Sequence, residues 1–421
     1  MKQFSIYMML GALWITPANA ADEASLGSNL AGLLDYARVH NPELAATRYE
    51  TAATHQRALT ASALPDPVLR TELMDFTNRG TDKGASLSPS QVGATRYTLM
   101  QSVPWFGKRG LQRDVAEAQV AQSDAQVAAT WAELADKIKM VYAQAYYLSG
   151  SERLTRETLD LMASLEQVAQ TRYANGLAAQ QDVIRAQVEQ TDLSSMLLDI
   201  ENEQHHSQAR LNSLLSRPAM AELVQPQSLR RLPVAAQLDY PALEQKLRKR
   251  NPELLIAEAR IVSAEKSRDL AYTSRYPGFT LGVSPTQTGS AVKSWDLMVE
   301  FNIPLQQGSR RSQEREAEAM LASSGARKEA LLNQMLADLS ESVSGLETAR
   351  RTESLTETRL LPQAELTYQS ALTGYENGKV DFATLLDAQR QILKARQQQL
   401  KSQLEAQLRL AEIERLLGEE L

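Results

Sequence analysis

Two hydrophobic periods alternate along this chain. Trp295, Leu297, Val299, Phe301 and Ile303 alternate with Asp296, Met298, Glu300 and Asn302, and Phe279, Leu281 and Val283 alternate with Thr280, Gly282 and Ser284. A period of two with one apolar face predicts strands, at about residues 278–285 and 294–303. Less regular β-like sequence predicts two more at about residues 67–76 and 95–103. Each half of the chain thus offers one hairpin, with a loop over residues 77–93 in the first and a shorter loop near 285–293 in the second. After each hairpin the period changes. Val127, Trp131, Leu134, Ile138, Val141, Ala145 and Leu148 follow the 4,3 spacing of a coiled-coil seam, and Leu332, Leu336, Leu339, Val343 and Leu346 answer in the second half. A helix over residues 107–173 would be roughly 100 Å long at ~1.5 Å per residue. Gly176 and Gly378 are placed to end the long helices, after which residues 180–215 and 381–417 return as antiparallel partners. Residues 31–63 and 240–275 read as shorter helices, each interrupted near an Asn-Pro step.

The halves repeat one another in order. Asn41-Pro42-Glu43-Leu44 recurs as Asn251-Pro252-Glu253-Leu254, Val103-Pro104 as Ile303-Pro304, Ala116-Glu117-Ala118 as Ala317-Glu318-Ala319, and Tyr173-Ala174-Asn175-Gly176 as Tyr375-Glu376-Asn377-Gly378. Chance tetrapeptides would not stay collinear. Pro218, Pro226 and Pro233 break helix at the joint, which gives a first repeat over residues 21–226 and a second over 227–421. Before them, Lys2, the apolar stretch from Ile6 to Ile15 and Ala18-Asn19-Ala20 form a signal-peptide pattern over residues 1–20, with cleavage expected after Ala20. The mature chain is therefore expected outside the cytoplasm.

Composition narrows the function. Aromatic residues are 5% and charged residues 23% of the 421, closer to long exposed helices than to a compact α/β enzyme. The net charge of −6 leaves no basic surface for a nucleic-acid track. The absence of cysteine excludes disulfides, thiol nucleophiles, Cys-ligated metals and a lipid-attachment cysteine. Gly107-Lys108 resembles the end of a phosphate loop, but Ser102 stands where the leading glycine belongs and Arg109 where Ser or Thr would bind magnesium. His205 and His206 are adjacent, so on a helix they diverge too far to share a metal. The methionines are scattered, with no paired thioether cluster visible in the sequence. No cofactor, metal site or catalytic set is expected.

Four strands with an apolar alternate face cannot cross a bilayer alone, because their edges would leave backbone groups unsatisfied. Bacterial membrane barrels start at about eight strands, so three chains of four would close one, apolar side chains outward and polar ones inward. A soluble periplasmic coiled-coil protein with a small β-domain is the alternative.

The duplicated order of helix, hairpin, long helix and tip, the junction Gln101-Ser102-Val103-Pro104-Trp105-Phe106-Gly107-Lys108-Arg109 and the tips at Tyr173-Gly176-Leu177 and Tyr375-Gly378 resemble the TolC-like outer-membrane efflux family. That resemblance implies a mainly α fold with a membrane β-barrel portion: a homotrimer with a twelve-stranded barrel among outer-membrane lipids and a helical duct through the periplasm. It implies coupling to an inner-membrane RND-type transporter through a periplasmic adaptor (membrane fusion) protein. Leu64-Pro65-Asp66-Pro67 with Pro104 and Gly107-Lys108-Arg109 is similar to the heavy-metal cation branch. A multidrug or type I secretion duct remains the alternative within transport.

The resemblance also implies where function concentrates. The periplasmic tips, at about 173–182 and 375–387, hold the gate in this family. Asp182 matches an acidic position after the first tip glycine, Tyr375 the gate tyrosine, and Asp387 an acidic ring position. Val380 occupies the place of the expected arginine and Thr384 that of the other acidic ring residue, so Arg185 is expected to substitute by pairing with Asp387 of a neighbouring helix. Asn175, Gly176, Leu177, Asn377, Gly378 and Lys379 are the expected adaptor-docking residues.

Overall fold

The structure is a computed structural model that describes residues 26–78 and 84–421. The leader expected over residues 1–20 lies outside the described residues. Element order matches the expectation in both halves. The first runs α1 (Leu30–His40), α2 (Pro42–Thr60), β1 (Val68–Met74), β2 (Ala94–Val103), α3 (Lys108–Ala174) and α4 (Gln180–Leu214). The second, after a short 3₁₀ turn, runs α5 (Tyr240–Arg250), α6 (Pro252–Thr273), β3 (Phe279–Thr288), β4 (Ala291–Phe301), α7 (Gln307–Leu355), a π-turn (Thr356–Leu360), α8 (Leu361–Glu376) and α9 (Phe382–Leu417).

The described chain forms two compact units that each draw on both repeats. One takes the chain up to Asn41 with Leu134–Val234 and Ser342–Ile413; the other takes Pro42–Glu133, Ala235–Glu341 and Glu414–Leu421. The Asn-Pro boxes do equivalent work in each. Proline disfavours helix at the residue before it, so α1 and α5 stop and α2 and α6 begin at the prolines. The freed asparagine amide then reaches the last helix of its half: Asn41 Nδ2 donates to the Leu214 carbonyl at 2.9 Å, and Asn251 Nδ2 to that of Leu416 at 2.8 Å. Asn251 Oδ1 also accepts from Leu254 N at 2.9 Å, capping α6.

In the second unit the strands form one antiparallel sheet in the order β1-β2-β3-β4. The expected loop near 285–293 is a correction. β3 runs to Thr288 and β4 starts at Ala291, leaving a two-residue turn in which Gly289 takes φ 62°. Proline and glycine suggested a break at 285. Pro285 instead stays paired with Trp295 of β4, while the β2–β3 pairing is interrupted beside it, between Arg96↔Thr286 and Leu99↔Val283, with the same register on both sides. A residue without an amide cannot complete the ladder on that side. A side-chain bond spans the gap, Ser284 Oγ to Thr98 Oγ1 at 2.9 Å.

In the first unit, Met162, Leu165, Ala169, Ala186 and Leu193 pack with Ala371, Tyr375, Phe382, Leu385 and Leu393 into one buried cluster. The second long helix departs from the uniform helix expected. Pro362 has no amide for the Thr358 carbonyl, and the ladder widens just before it, with Leu361 N bonding to Thr356 O.

Candidate functional site

The sheet is inside out by the standard of a soluble domain. Register places Leu69, Leu99, Val283 and Leu297 in one row across all four strands. Leu281 lies opposite Val299, Phe279 opposite Phe301 and Pro285 opposite Trp295 on the same face. This apolar face is open, with Leu297 76% and Trp295 71% exposed. The opposite face carries Arg70, Thr98, Ser284 and Asp296 in one row and Glu72, Arg96, Thr286 and Ser294 in the next. There Thr98 and Ser284 are each only 4% exposed, and Arg96 stands 3.9 Å from both Glu72 and Asp296. Water is a poor solvent for the first face and a good one for the second. Lipid outside and a wet lumen inside fit both.

The sheet also ends on both sides. Among the described residues β1 pairs only with β2 and β4 only with β3, so two edges carry unpaired backbone groups. Below the strands, Trp105 stacks on Tyr276 with ring centroids 5.1 Å apart, and Phe106 lies 6.1 Å from Phe279. Aromatic groups of this kind suit the bilayer–water boundary.

The two tips are built alike. Gly176 and Gly378 take φ 71° and 68°, a left-handed turn that glycine adopts without strain. Leu177 N bonds to Arg172 O and Lys379 N to Gly374 O, both at 2.8 Å, closing the ends of α3 and α8. Asn175 Nδ2 donates to Thr171 O and Asn377 Nδ2 to Thr373 O, also both at 2.8 Å. Leu177, Gly378 and Lys379 are exposed beside them. The second tip adds Asp381, whose Oδ1 accepts from Thr384 N at 2.9 Å and so caps α9.

Tyr375 is 3% exposed, its ring 5.4 Å from that of Phe382. The Arg172 guanidinium lies over the ring, 4.9 Å from its centroid, and donates to the Glu376 carbonyl at 2.8 Å. Arg172 therefore ties the first tip to the second. Val380, standing where an arginine was expected, is packed into the notch at Gly374, 2.5 Å from where a β-carbon there would lie. Burial, then the Asp182 charge, push the Tyr375 phenol up.

Asp182 is partly buried, and burial holds its pKa above 3.8 against the opposing pull of Arg185 and Arg172, with Asp381 adding to the rise. Asp387 is exposed and pairs within its own helix with Arg390 at 3.7 Å. The Arg185–Asp387 pair expected from the sequence is not made within one chain, where Arg185 acts on Asp182 and Asp381 instead. Arg390 also grips Glu189 of α4, Nη2 to Oε2 at 2.5 Å and Nε to Oε1 at 3.2 Å. Arg172, Glu189, Arg390 and Asp381 were not singled out in the sequence. Only Asp381 had a local signal there, an acid one residue before a helix start.

A carboxyl group whose pKa is raised on folding favours the fold while protonated, and that increment is lost as pH rises through the raised value. Asp182→Asn is therefore expected to flatten the fall in thermal stability that begins above about pH 4. Melting curves across that range check it, and an unchanged slope would free Asp182 of the effect.

No helix among the described residues is long and apolar enough to cross a membrane, and no group of three or more His, Asp or Glu among them could hold a metal ion. The profile of outer membrane efflux proteins matches residues 33–217 and 243–419. The cobalt-zinc-cadmium resistance protein CzcC of Cupriavidus metallidurans is 23% identical over 380 residues, covering 89% of this chain and 86% of CzcC. The outer-membrane channel OprN superposes with a TM-score of 0.80 at 19% identity, covering 92% of this chain and 89% of OprN. CusC, solved in a study of transmembrane channel formation, gives 0.79 at 18% identity, covering 93% and 92%. With a lipid-type sheet face, duplicated coiled-coil halves and a profile match over both halves, this chain belongs to the outer membrane efflux protein family and is an outer-membrane efflux channel.

Proposed function

We propose that three copies of this chain close a twelve-stranded barrel and continue as a helical duct that exports heavy-metal cations delivered by an inner-membrane RND-type transporter through a periplasmic adaptor. The observation that carries the assembly is the four-stranded sheet with an apolar outer face and two unpaired edges, since an open sheet in lipid would leave its edge groups without partners. The metal reading draws on the likeness to a cobalt-zinc-cadmium resistance protein along most of both chains. Adaptor hairpins meet the exposed turns at Asn175, Gly176 and Leu177 and at Asn377, Gly378 and Lys379. The gate is the tip set of Asp182, Arg185, Tyr375 and Asp387, with Arg172 supplying the guanidinium that Val380 does not. A strain lacking the protein is expected to lose tolerance to cobalt, zinc or cadmium salts and to keep its tolerance to dyes and antibiotics. Unchanged metal tolerance beside new dye sensitivity would move the substrate class to drugs.

A further inference from the structure

One level of the polar sheet face breaks its own pattern. The row Val68↔Met100↔Gly282↔Met298 crosses all four strands, between rows that carry Thr98, Ser284 and Asp296 on one side and Ser102, Thr280 and Glu300 on the other. Gly282 leaves a notch, and both methionines lean into it. Met298 Cε lies 2.9 Å and Met100 Cγ 3.3 Å from the point where a β-carbon on Gly282 would stand. Each of those carbons is bonded to its sulfur, and strand pairing brings these two methionine side chains, far apart in sequence, to one notch. Asp296 and Glu300 flank Met298 on the same face of β4 by the strand's period of two, which adds negative potential beside the sulfurs.

We propose that Met100 and Met298 form a transit site for a soft monovalent cation, Cu(I) or Ag(I), in the barrel lumen. Thioethers are soft, uncharged donors that favour such ions over Co(II) or Zn(II), and two of them meet the low coordination number these ions accept. A weak two-donor site also suits a channel, where an ion must leave as readily as it arrives. Apolar packing alone would be served equally by leucine, which supplies the test. The inference rests on the barrel reading, which makes this face the lumen, and not on the choice of cobalt, zinc or cadmium as cargo.

Full-length protein purified in detergent is titrated with silver nitrate in chloride-free buffer by calorimetry, with zinc nitrate in parallel. The wild type is expected to show a saturable tight phase for silver and none for zinc. The double variant Met100→Leu/Met298→Leu, close to volume-conserving, is expected to lose that phase. Each single variant, keeping one thioether, is expected to weaken it. Met220→Leu/Met320→Leu removes two exposed methionines and is expected to leave it intact. Silver binding that survives the double variant, or that disappears with Met220 and Met320, overturns the site. A trimer that binds no silver rejects the site and leaves the barrel standing; a soluble monomer rejects the lumen and the transit role together.

Discussion

Replacing Leu297 by arginine is expected to stop the protein assembling in the outer membrane. Leu297 closes the row Leu69, Leu99, Val283, Leu297 on the open apolar face, at mid-strand, where the lipid core would be thickest. An arginine at the midplane of a barrel's lipid face costs about 2–4 kcal/mol, and a trimer meets that cost at three sites. The neighbouring change Asp296→Asn, on the opposite face, is expected to assemble normally because its side chain stays in water. The comparison is read from the trimer band in unheated outer-membrane fractions. Wild-type assembly of Leu297→Arg would mean that this face does not meet lipid.

Arg172→Gln is expected to open the periplasmic tip while leaving the barrel intact. Two interactions go at once: the cation over the Tyr375 ring and the charged hydrogen bond to the Glu376 carbonyl. The first is worth about 0.5–2 kcal/mol, and the second, an exposed charged hydrogen bond, at most about 1.5–3 kcal/mol. Both join α3 to α8, so their loss frees the second tip from the first. Single-channel conductance in planar bilayers is expected to rise, and Arg172→Lys, which keeps the charge without the planar guanidinium, to fall between. Conductance equal to wild type in both variants would put the constriction away from Arg172 and Tyr375.

Much of this architecture was legible because it is written in local periods. The alternation around Leu297, the 4,3 seam through Ile138 and the repeated Tyr-x-Asn-Gly tips each depend on near neighbours in sequence, and the structure has strands, long helices and left-handed glycines there. Strand ends at 285–293 were not legible, since Pro285 reads as a breaker until β4 and β2 are both beside it. Nor was the π-turn, because the 4,3 pattern of α7 says nothing of how the ladder adjusts ahead of Pro362. The candidate site divided in the same way. Tyr375 and the tip glycines stand in the repeat itself. Arg172 and Glu376, Glu189 and Arg390, and Met100 and Met298 come from different repeats, and only the fold brings each pair together. Arg185 and Asp387 had compatible charges, but Arg390, one helical turn from Asp387, reaches it within the chain.

The most direct test of the central claim is the mass and location of the native assembly. Protein extracted from membranes in mild detergent, without heating, is expected to come from the outer-membrane fraction as a homotrimer that falls to monomers only on boiling, because three four-stranded sheets leave no free edge when closed. Recovery of a monomer from the soluble periplasm would contradict the account, since the apolar face would then face water and the two sheet edges would have no partner.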